Sequence, residues 1–271
     1  MPLPINFRFS QASLSDYLDC PRRFQLRHLL EQAWPAVEVE PLLERERLAE
    51  LGRRFHRLIQ QHVEGLSVEA LTESIGEPEL VRWWQSYLDS LSTTLSDLPP
   101  KQRAEVALSI PILAYRLTAH FDLIASDDDR AVIVDWKTEH RLPERDQLQQ
   151  RMQTRVYRYV LTIAQQRLPG TVTMIYWFAN AERPDRAVIL PYDAAQQADD
   201  HRFLLDLIAE IEERAARDGE WDKTPNERKC AYCVYRSLCN RGVHAGTGDP
   251  DEEDFDLLAR INIEQIDAIE Y

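Results

Sequence analysis

Residues Ala131–Lys137 read AVIVDWK, an apolar run that closes on an acid and a lysine. The run suits a short buried strand. A carboxylate at the end of such a strand is costly unless something partners it. The preceding segment offers that partner. Ala114–Ala125 alternates and is rich in β-formers, and the polar stretch Ser126–Arg130 between the two reads as a turn. Counted from the centre of this turn, Asp122 and Asp135 are nearly equidistant, so an antiparallel hairpin sets them side by side. Lys137 follows Asp135 by two residues and therefore shares its face of the strand. The hairpin predicts two carboxylates and one ammonium gathered at one end of a sheet.

The flanking segments set the fold class. Ser10 or Ser13 can cap a helix running to about Leu30, which Pro21 interrupts near Cys20. Helical periodicity continues over Leu43–Val63 and Glu79–Leu91, and Pro99-Pro100 ends this part. Ala104–Ile112 reads as a strand ahead of the hairpin. Beyond it the pattern predicts a long helix over Glu144–Gln166, strands at Thr171–Phe178 and Arg186–Pro191, and a helix over Ala194–Arg217. This order predicts an α/β core with a central mixed sheet and helices on its faces. The expected division is a domain over residues 1–244 and an acidic tail over residues 245–271. No apolar run is long enough to span a bilayer, and the first twenty residues lack the apolar core of a signal peptide, so a cytoplasmic protein with no membrane partner is expected.

The formal net charge is −14, which taken alone argues against nucleic acid. Its distribution weakens that argument, because Asp249–Tyr271 holds nine acids and one arginine and so accounts for −8. Arginines also gather locally, at Arg22, Arg23 and Arg27, at Arg45, Arg47, Arg53, Arg54 and Arg57, and at Arg145, Arg151, Arg155 and Arg158. Local basic stripes hold phosphates even on an acidic molecule; solvated helix faces paired with nearby Glu explain them equally well.

Two carboxylates can hold Mg²⁺ or Mn²⁺ through oxygen while leaving positions for water and a phosphate. A lysine beside them can orient or deprotonate that water. D-x-K alone is a weak signal, and a surface Asp–Lys pair is its plain reading. The fuller pattern is more specific. His120-Phe121-Asp122, a hydrophobic strand, and then Val134-Asp135-Trp136-Lys137-Thr138 resembles the PD-(D/E)XK nuclease fold, in its RecB-like branch. Gly52-Arg53-Arg54-Phe55-His56 is similar to that branch's upstream helix motif, which implies His56 as a metal ligand beside Asp122 and Asp135. Gln153-x-x-x-Tyr157 is similar to its Q-x-x-x-Y motif. That resemblance implies that Gln153 and Tyr157, one turn apart on a helix face, contact DNA or align the active site. Glu105 on the preceding strand is a weaker candidate for an outer acidic group.

The four cysteines are Cys20 and a compact trio, Cys230-x₂-Cys233-x₅-Cys239. A chain of 271 residues can bury a core without staples, so clustered thiols point to metal, iron or zinc. Together with Ser10-x-x-Ser13-x-x-x-Tyr17-x-x-Cys20-Pro21-x-x-Phe24, the set resembles AddB-type and CRISPR-associated RecB-like nucleases. This implies a [4Fe–4S] cluster on Cys20, Cys230, Cys233 and Cys239 that joins the N- and C-terminal segments of a restriction-endonuclease-like core. No phosphate-binding loop of a helicase motor is present.

The expected function is a Mg²⁺- or Mn²⁺-dependent deoxyribonuclease, an exonuclease on single-stranded DNA or duplex ends, serving repair, recombination or CRISPR-type processing. The alternative is a non-catalytic nucleic-acid-binding or adaptor protein that keeps the fold. The acidic tail lies outside the resemblance. It suits nucleic-acid mimicry, docking of a protein partner, or filling of the chain's own basic groove.

Overall fold

The structure, a computed structural model, describes residues 2–33, 40–139, 142–181, 186–230 and 233–242. The acidic tail at residues 245–271, and with it the expected domain boundary, lies outside the described residues.

The chain starts with a short strand β1 (Arg8–Ser10) and helix α1 (Gln11–Asp19), whose first turn is closed by a reciprocal cap between Ser10 and Ser13. Cys20 is extended and Pro21 opens a new short helix α2 (Pro21–Phe24), followed by a π-helical turn over Gln25–Leu29. Helices α3 (Glu40–Val63), α4 (Val68–Glu73) and α5 (Pro78–Leu91) follow. Strands β2 (Lys101–Ile112), β3 (Tyr115–Ser126) and β4 (Ala131–Lys137) then form an antiparallel meander. Helices α6 (Arg145–Gln150) and α7 (Met152–Ala164), strands β5 (Val172–Phe178) and β6 (Ala187–Pro191), and helix α8 (Ala194–Ala215) complete the core.

The expected mixed sheet is present. Its order is β1-β3-β4-β5-β6, with β2 paired along the other side of β3. The pairings β1–β3 and β4–β5 are parallel and the rest antiparallel. Because β2 follows β3 along its whole length, β1 and β4 both lie on the opposite side of β3, one after the other. β1 pairs as far as Thr118, and β4 begins at Leu123. Between them the sheet forks, and Asp122 lies in the fork.

Three layers result. One face of the sheet carries Ala131, Ile133, Met174 and Tyr176 against Leu14 of α1, Val156 and Val160 of α7 and Leu204 and Ile208 of α8. The other carries Val132, Val134, Trp136 and Trp177 against Phe55 and Ile59 of α3 and Trp83, Trp84 and Tyr87 of α5. Each large aromatic that is sealed here removes roughly 150–250 Å² from water, so this second layer stabilises strongly despite its small size. Among the described residues no helix is long and apolar enough to cross a membrane.

The β2–β3 ribbon changes sides partway along. Val106, Leu108, Ala119 and Phe121 face the α7 layer, whereas Ala104, Leu123 and Ala125 face the α3 layer. The reversal falls at Glu105, whose φ of 49° is left-handed. Left-handed backbone is uncommon for a residue with a Cβ and costs on the order of 1 kcal/mol or more.

Two expectations need correction here. The long helix predicted over Glu144–Gln166 is two helices, because Arg151 turns to ψ 140° and α7 restarts at Met152. The carbonyl of Leu148, left over at the end of α6, accepts from the Thr154 hydroxyl at 2.5 Å and from the Arg151 amide at 3.3 Å. That satisfaction by tertiary contact offsets the lost helical turn.

The second correction concerns the thiols. Cys20, Cys230, Cys233 and Cys239 line one pocket at the junction of the terminal segments. Among the described residues, however, the His, Cys, Asp and Glu atoms close enough to share an ion belong to His56, Glu105 and Asp122, and the thiols form no such group. The expected [4Fe–4S] cluster on these four cysteines is therefore not supported, and neither is the resemblance to the iron–sulfur branch. Burial pushes the Cys233 thiol up to about 11 and also raises Cys230 and Cys239. The Cys20 sulfur accepts from the Thr224 amide at 3.3 Å. The two segments are joined by ordinary contacts. Phe24 stacks on Trp221 with ring centroids 5.6 Å apart. Gln25 donates to the Gly219 carbonyl at 2.8 Å and accepts from the Trp221 amide at 2.9 Å. Arg22 pairs with Glu220 at 2.9 Å.

Candidate functional site

The site grows from the fork. The last pair between β3 and β4 is Leu123–Val134, and continuing that register puts Asp122 opposite Asp135. The Ser126–Arg130 turn that sets the register is held by Asp127, whose carboxylate accepts from the amides of Asp129 and Arg130 at 2.9 and 2.8 Å. On its other side Asp122 lies opposite Glu105, between the pairs Ala104–Leu123 and Val106–Phe121.

Asp122 Oδ2 accepts from the Trp136 backbone amide at 2.9 Å, and its Oδ1 is 3.5 Å from His56 Nδ1. His56 arrives from α3 and donates through Nε2 to the Trp136 carbonyl at 3.1 Å. A carbonyl can only accept, so Nε2 carries the proton and Nδ1 faces the carboxylates. This is how an imidazole is held when its other nitrogen is to bind a metal. Burial opposes a charged His56. The charge and hydrogen bond of Asp122, then Glu105 and Asp135, outweigh that and raise its pKa to about 9.

One ligand atom each from His56, Glu105 and Asp122 lies within 4.8 Å of the other two. Ligands on one divalent ion sit roughly 2.0–2.6 Å from it, hence at most about twice that from one another, so the trio fits a single ion. One imidazole and two carboxylates make a nitrogen–oxygen donor set for a divalent cation.

Asp135 and Lys137 sit beside this trio at the end of β4, and both are buried. Asp135 Oδ1 accepts from Gln153 Nε2 at 2.7 Å, and Oδ2 is 3.0 Å from Lys137 Nζ. Gln153 reaches Asp135 because the break at Arg151 puts it in the first turn of α7. Tyr157, one turn further, packs its ring 4.9 Å from that of Phe121, the neighbour of Asp122. The structure thus brings His56, Asp122, Asp135, Lys137 and Gln153 into one region and sets Tyr157 behind them in the core.

Two contributors were hard to see in the sequence. Glu105 completes the trio with an exposed carboxylate. Trp136 bridges Asp122 and His56 through its backbone, and its indole is wedged between Tyr87 and Trp177 at centroid distances of 5.6 and 5.8 Å. Gly52, one turn before His56, brings α3 against the end of β4: a Cβ there would lie 3.4 Å from Thr138 Oγ1. A glycine within a helical pattern was the available signal.

The family model of the PD-(D/E)XK nuclease superfamily matches residues 8–240. No curated protein matches the chain. Among solved structures, a protein from Eubacterium rectale provisionally described as an exonuclease overlays with a TM-score of 0.51 at 10% identity, covering 90% of this chain and 91% of that one. A protein called SSO0001 overlays with a TM-score of 0.40 at 11% identity, covering 87% of each chain.

Proposed function

The chain belongs to the PD-(D/E)XK nuclease superfamily, and we propose that it is a Mg²⁺- or Mn²⁺-dependent deoxyribonuclease acting on single strands or duplex ends. The observation that carries this reading is the convergence of His56, Glu105 and Asp122 within 4.8 Å beside the Asp135–Lys137 pair.

His56, Glu105 and Asp122 would hold the ion, and Asp135 of β4 would serve as a further ligand. The ion would supply Lewis acidity, which eases deprotonation of water and offsets charge on the scissile phosphate. Lys137, held as an ammonium by Asp135, would orient the attacking water and offset the charge that develops on the phosphate oxygens. Water oxygen would bond to phosphorus as its proton passes to solvent, one phosphorus–oxygen bond of the backbone would break, and the departing sugar oxygen would take a proton from solvent. Gln153 keeps the Asp135 carboxylate from rotating out of line. Trp136 fixes Asp122 through its amide and His56 through its carbonyl, so that the donor set is preorganised.

The test is cleavage of end-labelled single- and double-stranded DNA by the purified chain with Mn²⁺ or Mg²⁺. Asp122→Ala and Lys137→Ala are expected to abolish cutting while leaving the far-ultraviolet dichroism unchanged. Intact DNA of every form under both metals would refute the proposal.

A further inference from the structure

We infer that Tyr176 is a positioning residue of this site, because its phenol locks the Gln153 amide in the orientation that holds Asp135. The inference rests on the nuclease reading above.

Tyr176 lies on β5 directly beside Asp135 in the parallel β4–β5 register. It is fully buried. A phenylalanine would fill the same space, so the buried hydroxyl needs a reason, since its desolvation is costly unless hydrogen bonds replace water. Its oxygen is 2.8 Å from Thr154 Oγ1 and 3.3 Å from Gln153 Oε1.

Proton counting gives the direction of these contacts. Thr154 has one hydroxyl proton and donates it to the Leu148 carbonyl at 2.5 Å, so Tyr176 supplies the proton between the two hydroxyls. The phenolic proton then serves Thr154 Oγ1 and Gln153 Oε1 as a three-centre bond. A carboxylate only accepts, so Gln153 must turn Nε2 toward Asp135 Oδ1 and Oε1 away from it. Oε1 lands against the one phenolic donor. Without that donor Oε1 loses a buried partner, and the amide that bonds Asp135 at 2.7 Å is braced from one side alone. The ring itself is flanked by Lys137 Nζ at 5.7 Å and the Arg151 guanidinium at 5.9 Å. Tyr176 therefore borders both groups that hold Asp135, Gln153 through its hydroxyl and Lys137 through its ring, and would act through Gln153.

Two substitutions separate positioning from mere packing. Tyr176→Phe removes the donor to both acceptors, whereas Thr154→Val removes one partner and leaves the Tyr176–Gln153 contact. Mn²⁺ affinity of the full chain, read by electron paramagnetic resonance, needs no catalysis. Tyr176→Phe and Gln153→Ala are each expected to weaken Mn²⁺ binding about tenfold, the usual scale for losing an outer support of a metal ligand. The double variant should weaken it no further, because both changes break one chain of contacts. Thr154→Val should bind Mn²⁺ as the wild type does, even if its melting temperature falls. In cleavage assays Tyr176→Phe should lower kcat with KM for DNA unchanged. Equal Mn²⁺ affinities for wild type and Tyr176→Phe would overturn the inference, as would full additivity with Gln153→Ala. Wild-type protein that binds Mn²⁺ but leaves DNA intact would refute the nuclease reading alone, and the Mn²⁺ series would still decide the role of Tyr176.

Discussion

Removing the carboxylate of Asp16 should cost this fold more than almost any other single change outside the site. Asp16 lies on α1 and is fully buried. It is ion-paired with Arg23 at 2.7 Å and hydrogen-bonded to Arg27 at 2.8 Å and His28 at 2.8 Å, all on the segment beyond the break at Cys20. Burial works against its charge, but the two guanidiniums and then His28 hold its pKa far below the usual carboxylate range. Asp16→Ala leaves three cationic or donor groups facing a void. Breaking a buried ion pair from one side costs about 3–5 kcal/mol, and in a chain of this size that is a fall in melting temperature of about 10 °C. Urea unfolding followed by circular dichroism measures it, with the midpoint falling and the slope unchanged. The pH dependence follows from the lowered pKa. Asp16 stabilises the folded state fully above its unfolded pKa of about 3.9, and this contribution is lost as pH falls toward the folded value. The gap between wild type and Asp16→Asn should therefore be constant above about pH 5 and narrow by about 1 kcal/mol by pH 3. A loss under about 1 kcal/mol at neutral pH, or a gap that stays constant down to pH 3, would show that the network contributes little net stability.

Other expectations concern the site. Glu105→Gly should raise the melting temperature by about 2–4 °C, since glycine accepts the left-handed backbone at no steric cost, while weakening Mn²⁺ binding in calorimetry; a lower melting temperature would refute the strain assigned to Glu105. Lys137→Met should reduce cleavage at least about 100-fold, the lower bound for losing a donor that offsets developing charge, with Mn²⁺ affinity retained. Gly52→Val should weaken Mn²⁺ binding by pushing α3 and His56 away from Thr138, which a metal titration would detect; unchanged affinity would mean that α3 has room to spare.

Much of the architecture was legible because it rests on short-range rules. The turn at Ser126–Arg130 and the alternation on either side of it place Asp122 opposite Asp135. The spacing of Gln153 and Tyr157 puts them one turn apart on α7. Glu105 was only a weak candidate, since its role depends on a left-handed backbone that no local signal announces. Trp136 acts through backbone atoms, to which residue identity is blind. The break at Arg151 has no breaker residue and arises from Thr154 and Leu148 meeting in the folded state. The cysteines misled for a related reason: spacing along the chain brought four thiols to one pocket, but it does not fix how closely their sulfurs approach.

The reversal at Glu105 ties the two hydrophobic layers to a single ribbon. One half of the β2–β3 hairpin is seated among α7 side chains and the other half among those of α3. Loosening either half would twist the ribbon about its crossover, where Glu105 and Asp122 stand. The carboxylates are therefore anchored from both sides of the sheet at once, and injury to either core should be felt as a shift in their separation before the molecule as a whole gives way.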